Sequence, residues 1–191
     1  MPGHKKPSPT KKHTAAKATA KPAGAEHKAA QAKGPNEVKK IVVVYDEKTS
    51  KGQLFALGVD GSKKLTADIV VGGDGHKTPT GTYHASRWEK DHVSKKYGSY
   101  ADTPWSKSPL GLNAFGPYQL HIKELEKQGI YIHGTMGPGW TPVPSLNTLL
   151  SPTSHGCVRM ANRDNLRLHE LLPNPAGTEI KISTDPKDTP K

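Results

Sequence analysis

Apolar residues are spread very unevenly along the 191-residue chain. At Lys40 the sequence turns abruptly into "KIVVVYD", a β-branched run that reads as a strand, and the turn-forming "EKTSKG" leads into a second, "QLFALGV". Further strand-like runs are "LTADIVVGG", "GTYHASRW", "YQLHIK", "GIYIHG" and the alternating "TEIKIS", separated by Gly, Pro, Asn and Asp turn signals. This pattern predicts a mainly β domain, largely antiparallel, that begins near residue 38 and ends near 184. A flexible end is expected over 185–191.

One helical period stands out among the strands. Leu168, Leu171 and Leu172 fall at i, i+3 and i+4, Asn162 is placed to cap the helix, Asp164 lies in its first turn and Pro173 stops it. Two long segments, 89–117 and 135–153, show neither period. Loops of that length inside a small domain commonly serve as lids or binding loops. Each carries a tryptophan, Trp105 and Trp140, which either pins its loop to the body or contacts a ligand.

Charge separates the tail from the rest. Residues 1–40 hold ten Lys and two Glu, a net +8 of the chain's +11. With no valine and no aromatic residue, residues 1–37 have too little to bury against the entropy of ordering a backbone and are expected to be disordered. Their Lys/Ala/Pro repetition resembles linker-histone tails. It suits either contact with a polyanion through residues 1–40 or a solvated spacer. No run approaches the ~20 apolar residues that span a bilayer, and no signal peptide is read after the first lysines.

The only cysteine, Cys157, sits in "SHGCVRM" (154–160). A lone cysteine has no partner for a disulfide within the chain and is most often a small buried hydrophobe. Its neighbours favour chemistry: Gly156 leaves room for an incoming carbonyl, and successive backbone N–H groups can converge on one point. A nucleophilic thiol also needs a base. His133, which closes the apolar strand "GIYIHG" beside Gly134, is the best candidate. A metal is the competing reading, but no C-x-x-C, H-x-x-x-H or H-E-x-x-H spacing occurs, so neither a metal nor a cofactor is expected.

"IHGT" (132–135), then "SHGCVRM" and Asn162, together resemble the L,D-transpeptidase family, the YkuD-type catalytic domain. "TPTGTY" (78–83) and "SPLGLNAFG" (108–116) are similar to further elements of that family. The resemblance spans roughly residues 38–184 and implies a β-sandwich-like fold with one or two short helices. It implies roles too: Cys157 as acyl-accepting nucleophile, His133 as the group that takes and returns its proton, and the Gly134 carbonyl as the partner that orients that imidazole. Ser154, His155 and Gly156 match motif positions beside the thiol, with the N–H groups of Gly156 and Cys157 forming an oxyanion hole. Trp140 is a candidate substrate contact. Arg159 matches a position that binds acidic groups of the substrate, and a structural ion pair is its other reading.

The implied reaction is transpeptidation of peptidoglycan stem peptides by a monomeric enzyme of the bacterial envelope, periplasmic or secreted. A tetrapeptide stem acts as donor, terminal D-alanine is released, and the thioester passes to an amine acceptor. Water as acceptor would make the same site an L,D-carboxypeptidase, and a free D-amino acid would make it an exchange enzyme. A wall- or polyanion-binding module acting through its tail is the reading from a different class.

Overall fold

The structure is a computed structural model that describes residues 35–73, 75–108, 110–137 and 154–191. The tail over 1–34 lies outside the described residues, as do Trp140 and most of the 135–153 segment. The described residues form eight strands: β1 (Lys40–Asp46), β2 (Lys51–Leu57), β3 (Lys63–Val70), β4 (Gly81–Lys90), β5 (Tyr118–Ile122), β6 (Tyr131–His133), β7 (Val158–Met160) and β8 (Glu179–Ser183). The described residues contain one α-helix, α1 (Asn162–Leu171).

Their order, β1-β2-β3-β7-β6-β5-β4-β8, closes on itself because β8 also pairs with β1. The expected sandwich is thus a barrel-like one, with no free sheet edge. Six of the eight pairings are antiparallel, while β1·β8 and β6·β7 run parallel.

Alternation along the strands fills the interior. Ile41, Val43, Leu54, Ile69, Leu120, Ile122, Ile132, Val158, Met160, Ile180 and Ile182 form one buried cluster. Leu168 and Leu171 of α1 and the following Leu172 join it, as their spacing predicts. Each such aliphatic side chain contributes about 1.5–3 kcal/mol by leaving water.

Asn162 differs from expectation. Ala161 occupies the N-cap position and makes no side-chain cap bond, while Asn162 is the first helical residue and is turned into the body, 3% exposed. At the other terminus, Pro186–Asp188 form a 3-10 turn in which Asp188 accepts from Lys181 Nζ (2.5 Å) and Ser183 Oγ (2.6 Å). Within the 185–191 end, Asp188 is therefore bonded to β8.

The 89–117 segment continues β4 to Lys90 and then makes two 3-10 turns, Lys95–Tyr100 and Trp105–Lys107. Asn113 holds it together by donating to the carbonyls of His92 (2.9 Å) and Thr103 (2.8 Å). Trp105 Nε1 donates to the Gly137 carbonyl (2.9 Å) and Gly137 N–H to Gly111 (2.9 Å), which ties this loop to the start of the next. Of the two roles open to Trp105, pinning is the one these bonds carry out.

Candidate active site

β6 and β7 have three residues each, and their pairing builds the site. In register, Ile132 stands opposite Val158 and His133 opposite Arg159. Ile132 and Val158 point into the core, so His133 and Arg159 share the other face of the sheet, and Cys157, two residues before Arg159, lies on their side. Sequence separates Cys157 from His133 by a long loop; the parallel pairing brings their strands together.

His133 is 4% exposed, and its Nδ1 lies 2.8 Å from the Gly134 carbonyl. A carbonyl can only accept, so Nδ1 carries the proton and Nε2 keeps its lone pair. The peptide unit that supplies this carbonyl is held from its opposite end, where Thr135 N–H donates to Asn162 Oδ1 (2.8 Å). Asn162 Nδ2 in turn donates to the carbonyls of Thr135 (2.7 Å) and Gly137 (2.6 Å). Gly134 and Gly116 have to be glycine here, because a Cβ on either would run into Asn162 Oδ1. Asn162 is thus a support of the imidazole that reading it as a helix cap concealed.

Burial, and then the Arg159 charge, push the His133 pKa down to about 3 against the pull of the Gly134 bond. Burial pushes the Cys157 thiol up to about 11, opposed by the Tyr131 backbone N–H, Arg159 and Ser154. Burial also lowers the Arg159 pKa from its ordinary value. At neutral pH both partners are uncharged. Both shifts oppose transfer of the proton from sulfur to imidazole, because burial disfavours the charged form of each group. The thiol donates meanwhile to the Gly129 carbonyl, with Sγ 3.4 Å from the oxygen.

The other expected residues take distinct places. Ser154 turns inward, and its hydroxyl donates to the carbonyl of Cys157 (2.9 Å). Gly156 adopts φ 102°, a conformation open to glycine and strained for other residues. The His155 ring is exposed at the rim, packed 4.4 Å from His76 and 6.5 Å from Tyr97. Arg159 is partly buried.

Several neighbours were not singled out from sequence. The Phe115 ring lies 5.3 Å from His133, 4.6 Å from His92 and 5.7 Å from Tyr97, forming an aromatic wall from the 89–117 loop. On the same sheet face, Gln119 stands opposite His133 and His121 opposite Tyr131. Glu89 bridges His92 (2.7 Å) and His121 (2.8 Å). Burial alone would raise the Glu89 carboxyl, but those two bonds hold it below its ordinary value. The alternation of "YQLHIK" placed His121 on the face away from the core and was the available signal. Among the described residues, no group of three or more His, Cys, Asp or Glu is arranged to hold a metal ion.

Residues 39–182 fit the sequence model of the YkuD family, described as the L,D-transpeptidase catalytic domain, and the chain belongs to that family. A Bacillus licheniformis protein bearing the name L,D-transpeptidase YkuD is 31% identical over 104 residues, 50% of this chain and 57% of that protein. Its Bacillus subtilis namesake is 34% identical over 71 residues, 37% of each chain. The chain thus spans about half or less of these curated relatives. Among solved structures, the L,D-transpeptidase of Stackebrandtia nassauensis shares 23% identity at a TM-score of 0.48, covering 83% of this chain and 63% of that one. That of Enterococcus faecium shares 21% at 0.47, covering 77% and 50%.

Proposed function

We propose that the domain is a cysteine-dependent L,D-transpeptidase acting on peptidoglycan stem peptides outside the cytoplasm. The observation that carries this reading is the β6·β7 register, which sets His133 opposite Arg159, with Cys157 one residue before β7 and within reach of the Arg159 charge. The Nδ1–H tautomer of His133 supports it, since Nε2 is left free to accept a proton.

The steps follow from these groups. As a tetrapeptide stem enters and excludes water, the thiol leaves the Gly129 carbonyl and gives its proton to His133 Nε2. The thiolate attacks the carbonyl carbon between the third-position diamino acid and terminal D-alanine. The N–H groups of Gly156 and Cys157 hold the resulting oxyanion. Collapse breaks the C–N bond, the imidazolium protonates the departing D-alanine, and a thioester remains. An amine then attacks the thioester and loses a proton to His133; the new amide leaves and Cys157 regains its proton. Arg159 supplies positive charge for the carboxylates of a stem. A stem amine as acceptor yields a crosslink, a D-amino acid yields exchange, and water yields L,D-carboxypeptidase activity.

The basic tail, +8 over residues 1–40, is proposed to hold the monomeric domain near anionic polymer. No described helix is long and apolar enough to cross a membrane.

The test is mass spectrometry of the purified protein with disaccharide tetrapeptide. An adduct on Cys157 with release of D-alanine is expected, absent in Cys157→Ala and reduced about a hundredfold or more in His133→Ala. Folded protein that forms neither adduct nor product would overturn the reading.

A further inference from the structure

We propose that Thr78, in the segment that crosses beneath the cysteine turn, is a positioning residue that aims the Cys157 backbone N–H at the oxyanion. The inference rests on the reading that Cys157 accepts an acyl group. Its geometry is that of one peptide unit. In a trans peptide the C=O and N–H point in opposite directions, so holding one end sets the direction of the other. Thr78 Oγ1 donates to the Gly156 carbonyl at 2.8 Å, from within the protein, where Thr78 is 1% exposed. The other end of that peptide unit is the N–H of Cys157.

The bond has a fixed sense. Gly72 N–H donates into the same Thr78 Oγ1 at 3.0 Å, so the hydroxyl accepts on that side and its single proton is committed to Gly156. Thr78 is itself anchored, because Tyr45 Oη donates to its backbone carbonyl at 2.6 Å. Gly72 is held by Ser50 Oγ, which donates to the Gly72 carbonyl (3.2 Å), and by a parallel bridge to Ser154. The contact is tight: a Cβ on Gly72 would collide with Gly156 Cα and N and with the His76 carbonyl. A chain of donors therefore runs from Tyr45 of β1 through Thr78 to the nucleophile's own peptide, in a turn where Gly156 has a φ of 102°.

A merely structural threonine and a positioning one differ in which reactions they affect. Acylation of Cys157 by p-nitrophenyl acetate passes through a tetrahedral oxyanion, with the S–C bond formed and nitrophenolate expelled. Alkylation by iodoacetamide forms an S–C bond with loss of iodide and creates no oxyanion. Thr78→Val keeps the shape and removes the donor. It is expected to slow acylation about tenfold to a hundredfold, with alkylation within about twofold of the parent protein. Thr78→Ser, which restores the hydroxyl, is expected to recover acylation to within about threefold. Tyr45→Phe, which loosens the anchor, is expected to show the same split at a few-fold size and serves if Thr78→Val does not fold.

Acylation unchanged in Thr78→Val overturns the inference. So does a parallel fall of both reactions, or a folded Tyr45→Phe with no split where it stands in. A parent protein that reacts with the ester and not with stem peptides would overturn the substrate assignment alone and leave the Thr78 comparison intact.

Discussion

The two faces of β5, β6 and β7 are made from alternate residues of the same three strands, yet they are built on opposite principles. One face presents Leu120, Ile122, Ile132, Val158 and Met160 to the core. The other carries Gln119, His121, Tyr131, His133, Cys157 and Arg159, and of these Gln119, His121, His133 and Cys157 are buried. The apolar face gains free energy by leaving water, whereas burying the polar one costs free energy unless every group is bonded. The polar face is thus held at a cost in stability that the apolar face does not carry. The comparison teaches where to look: polar groups buried opposite an apolar face mark the working side of the sheet.

Substitutions can break that contrast, and the largest effect is expected at the proposed catalytic pair, His133 and Cys157. His133→Ala should cut turnover of a stem-peptide substrate by a factor on the order of 10² to 10⁴, and Cys157→Ala should abolish it. Neither should lower the melting temperature as a core truncation would. Melting measured alongside turnover checks both halves of the expectation.

Next in size is the response to pH. The His133 pKa falls on folding from 6.5 to about 3, so below pH 6.5 the unfolded chain takes up a proton that the folded one refuses. Stability is then lost progressively as pH falls from about 6.5 toward 3, by roughly 4 to 5 kcal/mol from this group. The Cys157 pKa rises from 9.0 to about 11, so stability is lost as pH climbs between those values, by roughly 2 to 3 kcal/mol. Urea unfolding across pH should show His133→Ala flattening the acid limb and Cys157→Ala flattening the alkaline one. An acid limb unchanged in His133→Ala would place the destabilising proton elsewhere.

Asn162→Ala sharpens the boundary between the faces, since Asn162 belongs to a core-packed helix but serves the polar side. Stranding the Thr135 N–H and the carbonyls of Thr135 and Gly137 should cost about 2 to 3 kcal/mol in chemical denaturation. Turnover should fall about tenfold as the Gly134 carbonyl loses its fixed direction. The smallest effect is expected for Trp105→Phe, which removes one bond to Gly137 at about 1 kcal/mol.

Seven of the eight strands were legible because each carries enough apolar or alternating residues to show a period by itself. β7 was not: Val158-Arg159-Met160 is three residues long, and its alternation has meaning only beside β6. The closure of the barrel escaped for a related reason, because the pairing of β1 with β8 joins segments at opposite ends of the domain. Cys157 and His133 stood out by residue type and motif, and by resemblance Gly134 could be given its part. Asn162 was misread because asparagine has a strong local preference for helix caps, which tertiary hydrogen bonds overrode here. Thr78 lay in a recognised segment, but a hydroxyl that spans 78 residues of sequence to reach its acceptor leaves no local trace.

The thiol's bond to Gly129 has a consequence for the lifetime of the molecule. Peroxides and other oxidants attack the thiolate, and sulfur that is protonated, 8% exposed and hydrogen-bonded to a carbonyl offers them little of it. In the role proposed above, outside the cytoplasm, no reducing pool would repair an oxidised Cys157. Keeping the sulfur unreactive until a substrate arrives therefore lets the protein wait in an oxidising medium without being spent.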